Sequence, residues 1–311
     1  TRPKMKAIWE LKRKYEIWLA VELAACEAFE RAGQVPRGTA ARIGKKATID
    51  VKRIGRIEKV TKHDVIAFLE SLVESVGPEH RFLHMGLTSS DIVDTSLAVQ
   101  MTEALDLILD DLEELIAVLK RQALKYKNQV MVGRSHGVQA LPITFGHKAA
   151  IWLSEMGRNY ERLRQLEPRV FVGGMVGAVG TQASFGPQAK ELEKRLMKRL
   201  GLGVADINWQ PARDRFAEYI NVLGLISATL GKIANEIILL EHTEIGELYE
   251  PFSAGKVGSS TMPHKRNPSS CEAVVGVSRA LRYNVAFMLE SMIIEHERDG
   301  SAWRGEWKAI P

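Results

Sequence analysis

Cysteine is scarce in this sequence, and long uncharged stretches are missing. The 311 residues include only two cysteines, Cys26 and Cys271, far apart in the chain. This spacing predicts buried apolar side chains in a reducing cytoplasm rather than a disulfide framework. The longest uncharged apolar run, residues 219–231, is shorter than the about 20 residues that a membrane span requires. The amino-terminal residues also lack the apolar core of a signal peptide. We therefore predict a globular protein without a membrane partner.

Motifs for metals, dinucleotides and nucleic acids are also missing. The eight histidines include no HExxH pair, so we predict no metal. The glycines of "GGMVGAVG" lack the order of a dinucleotide fingerprint and predict close backbone packing or a ligand-facing turn. The net charge is +5, but acids alternate with bases along the helices. This pattern favours one site for a small anionic substrate over a nucleic-acid partner.

Helix-forming patterns fill most of the chain. Residues 87–132 contain neither glycine nor proline. Within them, one apolar seam repeats at steps of three and four residues, as in a long bundle helix. Its members are Leu105, Ile108, Leu112, Leu115 and Leu119. Further helices are predicted over residues 7–32, 63–75, 145–167, 187–200, 212–247 and 268–295. The only β-branched stretch of note, "RVFVGGMVG", is interrupted by glycines. We predict an all-α fold with a long central helical bundle that associates between subunits.

A few loops carry the unusual residues. "GKVGSSTMPHKRNPSS", residues 255–270, combines hydroxyls, glycine, proline and cations, which excludes a regular helix or central strand. "GRSHG", residues 133–137, fits the nucleophile elbow of hydrolases, but that elbow requires a parallel sheet that this sequence does not predict. Single loop hydroxyls have structural explanations, since Ser89 or Ser90 before Asp91 is a favourable helix N-cap. Their concentration on a few loops instead favours a binding site.

This set of residues suits proton abstraction next to a carboxylate. That reaction forms a dianionic intermediate, which requires cations and hydrogen-bond donors together with a base and an acid. Lys265, Asn267 and the backbone amides of the glycine–serine segment are donors of this kind. A serine can act as the base only if this electropositive loop stabilises its alkoxide. Histidine is the side chain best suited to proton donation near neutrality, which makes His136 a candidate acid.

The segment "GSSTMPHKRNP", residues 258–268, resembles the defining motif of the fumarase/aspartase superfamily. Further segments are similar to the adenylosuccinate lyase family within it: "KHDVIAF", "HMGLTSSDIVDT", "VGRSHGVQALPITFG" and "GAVGT". The resemblance covers essentially the whole chain and implies a homotetramer whose active sites combine loops of three subunits. It implies a helical domain at residues 1–84 and an incomplete bundle domain at residues 85–311. The last bundle helix and a C-terminal helical domain would then follow.

The resemblance also implies a reaction and its residues. The reaction is elimination of fumarate from adenylosuccinate, and from the succinyl-carboxamide intermediate of purine synthesis, by a cytoplasmic C–N lyase without a cofactor. Ser259 is the implied base and His136 the implied acid, supported by Glu272. His63 is a further catalytic residue. The implied substrate-binding residues are His84, Thr88, Ser89, Ser260, Lys265, Asn267, Arg298 and Ser301.

Tryptophans depart from the adenylosuccinate lyase pattern. Trp209 in "NWQPARDR" takes the place of a substrate-contacting glutamine, and Trp303 and Trp307 lie where that family carries a phosphate-holding arginine. These features are similar to the 3-carboxy-cis,cis-muconate cycloisomerase branch, which typically lacks histidines such as His63 and His136. An unphosphorylated polycarboxylate, as in 3-carboxymuconate lactonisation, is therefore an alternative substrate. The arginines available for either substrate are Arg134, Arg213, Arg215, Arg298 and Arg304.

An inactive structural or binding homologue, such as those of the eye lens, is the alternative of another class. Inactive relatives need not keep a complete catalytic set. This chain has Ser259, His136, Lys265 and Asn267 together. The sequence therefore favours an enzyme.

Overall fold

The computed structural model describes residues 2–252, 255, 257–262 and 264–311, and most of them are helical. Lys256 and Pro263 of the loop at residues 255–270 lie outside the described residues. The helices are α1 (Pro3–Ile8), α2 (Leu11–Arg31), α3 (Thr39–Lys46), α4 (Val51–Thr61), α5 (Asp64–Val76), α6 (Ser89–Lys125), α7 (Phe145–Val170), α8 (Ala189–Leu200), α9 (Asp214–Glu241), α10 (Ser269–Glu290) and α11 (Gly300–Ala309).

The long helix α6 is the axis of the fold. Its predicted apolar seam is buried at Leu105, Leu112 and Leu119 and partly buried at Ile108 and Leu115. Helix α6 packs on α7, α7 packs on α9, and α9 packs on α10. These four helices form the predicted bundle, so the helical architecture is confirmed.

Helix α2 packs against the first half of α6, and an aromatic cluster joins α2 to α5. Tyr15, Trp18 and Phe68 contact one another with ring centroids 5.3 to 5.9 Å apart. Trp18 Nε1 donates a hydrogen bond to Ser96 Oγ of α6 at 2.9 Å. This contact fixes the amino-terminal helices to the start of α6. The domain boundary after residue 84 stays a prediction.

Several helix limits differ from the prediction. The run at residues 7–32 divides into α1 and α2, and the helices α3, α4 and α11 were not predicted. The last two have side-chain caps that mark their starts: Asp50 Oδ1 accepts from Arg53 N, and Asp299 Oδ1 accepts from Ser301 N. Helix α9 ends before residue 247 and α10 before residue 295, because a turn follows each of them. Short helices give too few periodic positions to stand out in the sequence.

The segment "VGRSHGVQALPIT" is predicted to be a loop, and the structure corrects this to a β-hairpin. Its strands are β1 (Val130–Ser135) and β2 (Val138–Thr144), which pair antiparallel. His136 and Gly137 form the two-residue turn with φ of 55° and 78°, as tight hairpins require. The "GRSHG" segment therefore has the geometry of a hairpin turn and not that of a hydrolase elbow, which precedes a helix.

The glycine-rich segment after α7 packs tightly against α6. Its strand β3 (Val172–Gly173) pairs parallel with β4 (Gly203–Val204). A Cβ on Gly173 would lie 2.4 Å from Met197 Sδ and 2.8 Å from Thr95 Cγ2. A side chain there would displace these neighbours, so Gly173 shows close packing, one of the two predicted uses of these glycines.

Helix α9 stands apart among the described helices by its combination of length and apolar composition. It alone is long and apolar enough, by length and composition, to cross a membrane. It lies between α7 and α10 in the bundle, so it is a core helix.

Candidate active site

The start of α6 is fixed by a buried carboxylate. The N-cap is Thr88 rather than the predicted Ser89 or Ser90, and Asp91 Oδ2 accepts from the Thr88 main-chain N–H at 2.9 Å. Asp91 also accepts from the main-chain N–H groups of Val176 and Gly177, each at 3.0 Å. Burial raises the pKa of Asp91 to about 6, although these hydrogen bonds oppose the shift. The carboxylate thereby joins the glycine-rich segment to the helix N-terminus.

A cavity of about 450 Å³ opens beside this N-terminus. Of the predicted site residues, His63, Ser89 and Arg298 line it. Arg298 Nη1 also donates a hydrogen bond to Thr88 Oγ1. A helix N-terminus combined with a guanidinium and hydroxyls is an arrangement that binds carboxylates. The other lining residues are Glu58, Lys62, Asp64, Gly300, Trp303, Arg304 and Trp307.

His63 and His84 are both held by hydrogen bonds close to this helix start. His63 caps α5, and its Nδ1 accepts from Ile66 N at 3.4 Å. His84 has a left-handed backbone, with φ of 58°. Its main-chain N–H donates to Glu22 Oε2 at 2.6 Å, and its Nδ1 lies 2.7 Å from Glu22 Oε1. Burial lowers the pKa of His84, but the hydrogen bond and charge of Glu22 outweigh burial and leave this pKa raised.

One wall of the cavity is an aromatic pair on α11, Trp303 and Trp307. Their ring centroids are 4.5 Å apart at an interplanar angle of 62°. Both indole Nε1 atoms are buried and have no hydrogen-bond partner among the residues that the structure describes. Lys14 Nζ lies 5.2 Å from the Trp307 ring centroid on the side of the amino-terminal helices. The wall therefore presents ring carbon to the cavity.

A buried ion network anchors this wall. Arg213, 2% exposed, pairs with Asp94 of α6 at 2.8 and 3.0 Å and with Glu306 of α11. Burial raises the pKa of Glu306, although the hydrogen bond from Arg213 opposes the shift. Arg213 is predicted to be available to a substrate, and the structure corrects this, because its N–H groups already donate to Asp94 and Glu306. Nothing local in the sequence signals the network, since its members lie on distant elements.

The position of Trp209 also differs from the prediction, which placed it at a substrate-contacting position. It is 3% exposed and packs against Phe216 with ring centroids 5.4 Å apart. Its Nε1 donates to Gly173 O at 3.1 Å. The side chain belongs to the core of this chain.

At the opposite end of α6, His136 occupies the exposed tip of the hairpin. The hairpin is tied to the segment after α9 by Arg134, whose Nη1 and Nη2 donate to Glu247 at 3.0 and 2.7 Å. Arg134 is thus paired rather than free for a substrate. No hydrogen bond or ion pair among the described residues joins His136 to His63 or Ser89.

Ser259 lies in the loop that precedes α10. Its Oγ accepts from the main-chain N–H groups of Thr261 and Met262 at 3.2 and 3.0 Å. Asn267 Nδ2 donates to Gly258 O at 2.6 Å, and a Cβ on Gly258 would lie 1.8 Å from Lys265 O. The loop therefore folds back on itself and directs two amide donors at the serine oxygen.

The other predicted residues divide between the two ends. Ser260, Lys265 and Glu272 are exposed in the loop and the first turn of α10. Ser301 follows Arg298 at the start of α11, where its hydroxyl donates to Asp299. The residues around Glu250 and Cys271, which flank the loop, line a groove together with the hairpin. The loop and the hairpin thus share one end of the bundle.

The length of α6 separates these two groups. Its 37 residues span about 55 Å at 1.5 Å per residue. The hairpin is bonded to the far end, since Gly146 N donates to Tyr126 O and Phe145 N donates to Gln129 O. One copy of the chain therefore holds His136 far from the cavity at Ser89.

The bundle and its cavity define a helical enzyme of the fumarase/aspartase type. The structure matches that of the 3-carboxy-cis,cis-muconate lactonizing enzyme from Pseudomonas putida with a TM-score of 0.93 and 34% identity, over 100% of this chain and 70% of that one. The sequence model of the family described as "Lyase" matches residues 1–282, so the chain belongs to that family.

Two curated relatives differ in the substrate that their names give. The chain is 46% identical over 310 residues to an N-acetyl-S-(2-succino)cysteine lyase of Enterococcus italicus, covering 99% of this chain and 68% of the relative. It is 43% identical over 303 residues to an adenylosuccinate lyase of Aquifex aeolicus, covering 96% and 69%. The chain is thus a fumarate-eliminating lyase of the family. The succinocysteine substrate was not among the predictions from sequence.

Proposed function

We propose that this lyase eliminates fumarate from a succinylated cysteine thioether by general acid–base β-elimination. The observation that carries the proposal is the cavity at the start of α6, where Ser89 and Arg298 offer donors to a carboxylate beside an aromatic wall. The wall supports an unphosphorylated substrate, because the π face of indole repels a phosphate dianion. The 46% identity to an N-acetyl-S-(2-succino)cysteine lyase supports the thioether.

In the proposed mechanism, Ser259 removes the proton from the carbon next to one carboxylate. The electron pair of that C–H bond forms the double bond of fumarate, and the C–S bond breaks with its pair on sulfur. His136, supported by Glu272, protonates the leaving sulfur. The two amide N–H groups at Ser259 Oγ support the base role, because fixed donors stabilise an anionic oxygen. This acid–base scheme needs no cofactor.

The remaining site residues bind substrate in this proposal. Thr88, Ser89 and Arg298 hold one carboxylate at the start of α6, with Ser301 beside them. Ser260, Lys265 and Asn267 hold the other carboxylate from the Ser259 loop. His63 and His84 shape the cavity between them.

We further propose a cytoplasmic homotetramer in which each site combines loops of three subunits. The separation of His136 from the Ser89 cavity along α6 supports this, since one chain does not bring them together. Exposed apolar residues on α10 support it as well: Val277 is 69% and Tyr283 79% exposed. The division into domains at residues 1–84 and 85–311 remains part of the same proposal.

Adenylosuccinate is the second candidate substrate, and cleavage would then break a C–N bond. Lys62, Arg298 and Arg304 at the cavity favour it, because three cations suit an additional phosphate. The identity of 43% to an adenylosuccinate lyase favours it as well. The succinyl-carboxamide intermediate would then be a related substrate.

Fumarate release from each of the two substrates tests the proposal. We expect release from N-acetyl-S-(2-succino)cysteine with a kcat/KM above that for adenylosuccinate. Ser259→Ala should lower turnover about 10²–10⁴-fold, the contribution of a positioned base, whereas Ser75→Ala, a half-buried serine far from the loop, should not. A higher kcat/KM for adenylosuccinate would select the second candidate, and full turnover by Ser259→Ala would contradict the base role.

Subunit mixing tests the shared site. His136→Asn and His63→Ala should each inactivate the homo-oligomer. Oligomers assembled from both variants after mixed refolding should regain a measurable share of turnover, because some sites then combine an intact His136 with an intact His63. Turnover that stays at the level of the separate variants would contradict a site shared between chains.

A further inference from the structure

The aromatic wall defines a part of the cavity that the elimination chemistry does not use. Trp303 and Trp307 meet edge to face on α11 and line the same cavity as Ser89 and Arg298. Because their Nε1 atoms are buried, the indoles offer ring carbon to a ligand and no hydrogen-bond donor. A surface of this kind gains free energy from an apolar group and gains none from a phosphate oxygen.

The wall is rigid because α11 is held from several sides. Glu306 is bound by Arg213, which is also bound by Asp94 of α6. Gly305 lies against Phe287 of α10, where a Cβ would be 2.5 Å from the ring. The indoles cannot retreat without breaking a buried ion pair or this close contact. The shape of the cavity at the wall is therefore built in before a ligand arrives.

The charged side chains around the wall affect which ligand groups can bind against the indoles. Lys14 Nζ is 5.2 Å from the centroid of the Trp307 ring and 4.5 Å from that of Trp18. Lys62, Arg298 and Arg304 line the cavity and outnumber its two carboxylates, Glu58 and Asp64. An indole face alone would attract an ammonium group. Here Lys14, which pairs with Asp64 at 3.9 Å, already lies against the Trp307 ring, and a ligand ammonium would meet an excess of positive charge in the cavity.

We propose that Trp303 and Trp307 form an acyl subsite that selects N-acylated amino-acid leaving groups over leaving groups with a free amine. This inference rests on the proposed function and names the part of the leaving group that the wall recognises. N-acylation removes the ammonium charge that Lys14, Lys62 and Arg304 repel. It also adds a small apolar group that packs on the indole carbons.

Two succinylated thioethers that differ only in the acyl group provide the test: N-acetyl-S-(2-succino)cysteine and S-(2-succino)cysteine. We expect the unaltered enzyme to favour the acetylated compound by at least about 10-fold in kcat/KM, within the range for small groups in apolar subsites. Trp303→Ala should reduce this ratio towards one, and Trp303→Phe should keep most of it. Trp9→Ala, a half-buried tryptophan outside the cavity, should leave the ratio unchanged.

Calorimetric binding to the Ser259→Ala variant separates this inference from the proposed function. A preference for the acetylated thioether that Trp303→Ala abolishes would support the acyl subsite even if no fumarate is released. Equal affinity for both thioethers, or a preference that survives in Trp303→Ala with an unchanged melting temperature, would overturn it. If Trp303→Ala fails to fold, Trp303→Gln and Trp307→Gln, which also remove the ring face, take its place, and a ratio of one in the unaltered enzyme overturns the inference directly. Fumarate release without any acyl preference would leave the proposed function standing and the subsite rejected.

Discussion

The two ends of α6 are built differently. At the Ser89 end, charged side chains are buried and paired: Asp91 accepts three backbone N–H groups, and Arg213 bridges two carboxylates. At the other end, His136 is exposed on a hairpin tip, and Ser259 lies in a short loop closed by local hydrogen bonds. In the proposed function, the first end is a preformed binding surface, and the second presents reactive groups that require a facing surface.

This difference predicts a division of effects. Substitutions at the Ser89 end should change the free energy of unfolding, because they leave buried charges without partners. Side-chain substitutions at the hairpin tip that leave its glycine intact should change turnover and leave stability nearly unchanged, because exposed side chains contribute little to folding. The four predictions that follow test this division.

The largest effect is expected from His136→Asn. Asparagine tolerates the left-handed backbone at this position better than most residues, so the turn should persist. Turnover should fall about 10²–10⁴-fold, the contribution of a positioned general acid, while the free energy of unfolding stays within about 0.5 kcal/mol. Fumarate release and chemical denaturation measure the two quantities. His147→Asn, an exposed histidine of α7, is the control. Unchanged turnover in His136→Asn would remove the acid role from this residue.

Arg213→Met should have the opposite profile. It leaves Asp94 and Glu306 buried without their cation, which costs about 3–5 kcal/mol in the free energy of unfolding. Arg215→Met, at a partly exposed arginine two residues away, should cost no more than about 0.5 kcal/mol. Replacing all three members of the network by apolar residues should recover part of the loss. A small loss in Arg213→Met would show that the network does not hold α11.

The same two ends show what could be predicted from the sequence. The bundle was predictable because an apolar repeat such as that of Leu105, Leu112 and Leu119 is local along the chain. The loop at residues 255–270 was recognisable from its composition. The hairpin was not, because Gly133 and the His136–Gly137 turn interrupt the alternation that marks a strand.

Arg213 illustrates why the rest of the site could not be predicted. Its partner Asp94 lies 119 residues away, and Glu306 lies 93 residues away on the other side. A single sequence does not encode such a separation in any local pattern, so a buried structural arginine looks like a free substrate ligand. The burial of Trp209 could not be predicted for the same reason, because it depends on contacts with Gly173 and Phe216 of other segments.

A pair of glycine substitutions tests how strongly the backbone conformation at each end of α6 requires glycine. Gly137 has φ of 78° at the hairpin turn, so Gly137→Ala should lower the free energy of unfolding by about 1–2 kcal/mol. Gly55 lies inside α4, near the cavity, with open space around its Cα. Gly55→Ala should raise the free energy of unfolding by about 0.5–1 kcal/mol, since alanine favours helix. Thermal and denaturant unfolding measure both. A stabilising Gly137→Ala would contradict the turn.

The smallest effect concerns the pH dependence of stability at the Ser89 end. Glu22 keeps the pKa of His84 above its ordinary value in the folded protein, despite burial. A group with a raised folded pKa contributes its full stabilisation below its unfolded pKa and loses it as the pH rises through the folded one. The His84 contribution should therefore be complete near pH 6 and decline above about pH 6.5, the ordinary histidine value.

Glu22→Gln isolates this contribution, because glutamine keeps a hydrogen-bonding side chain but removes the charge. The free energy of unfolding, measured in steps from pH 6 to pH 8, should fall less steeply in Glu22→Gln than in the unaltered protein. Asp91, whose pKa is about 6, lowers stability as the pH rises towards that value, but it does so in both proteins and cancels in the difference. His80→Gln, at an exposed histidine of the neighbouring turn, should not change the slope. Equal slopes in Glu22→Gln and the unaltered protein would mean that the Glu22 charge does not stabilise His84. The order of the Ser89 end would then depend on backbone hydrogen bonds and the Arg213 network.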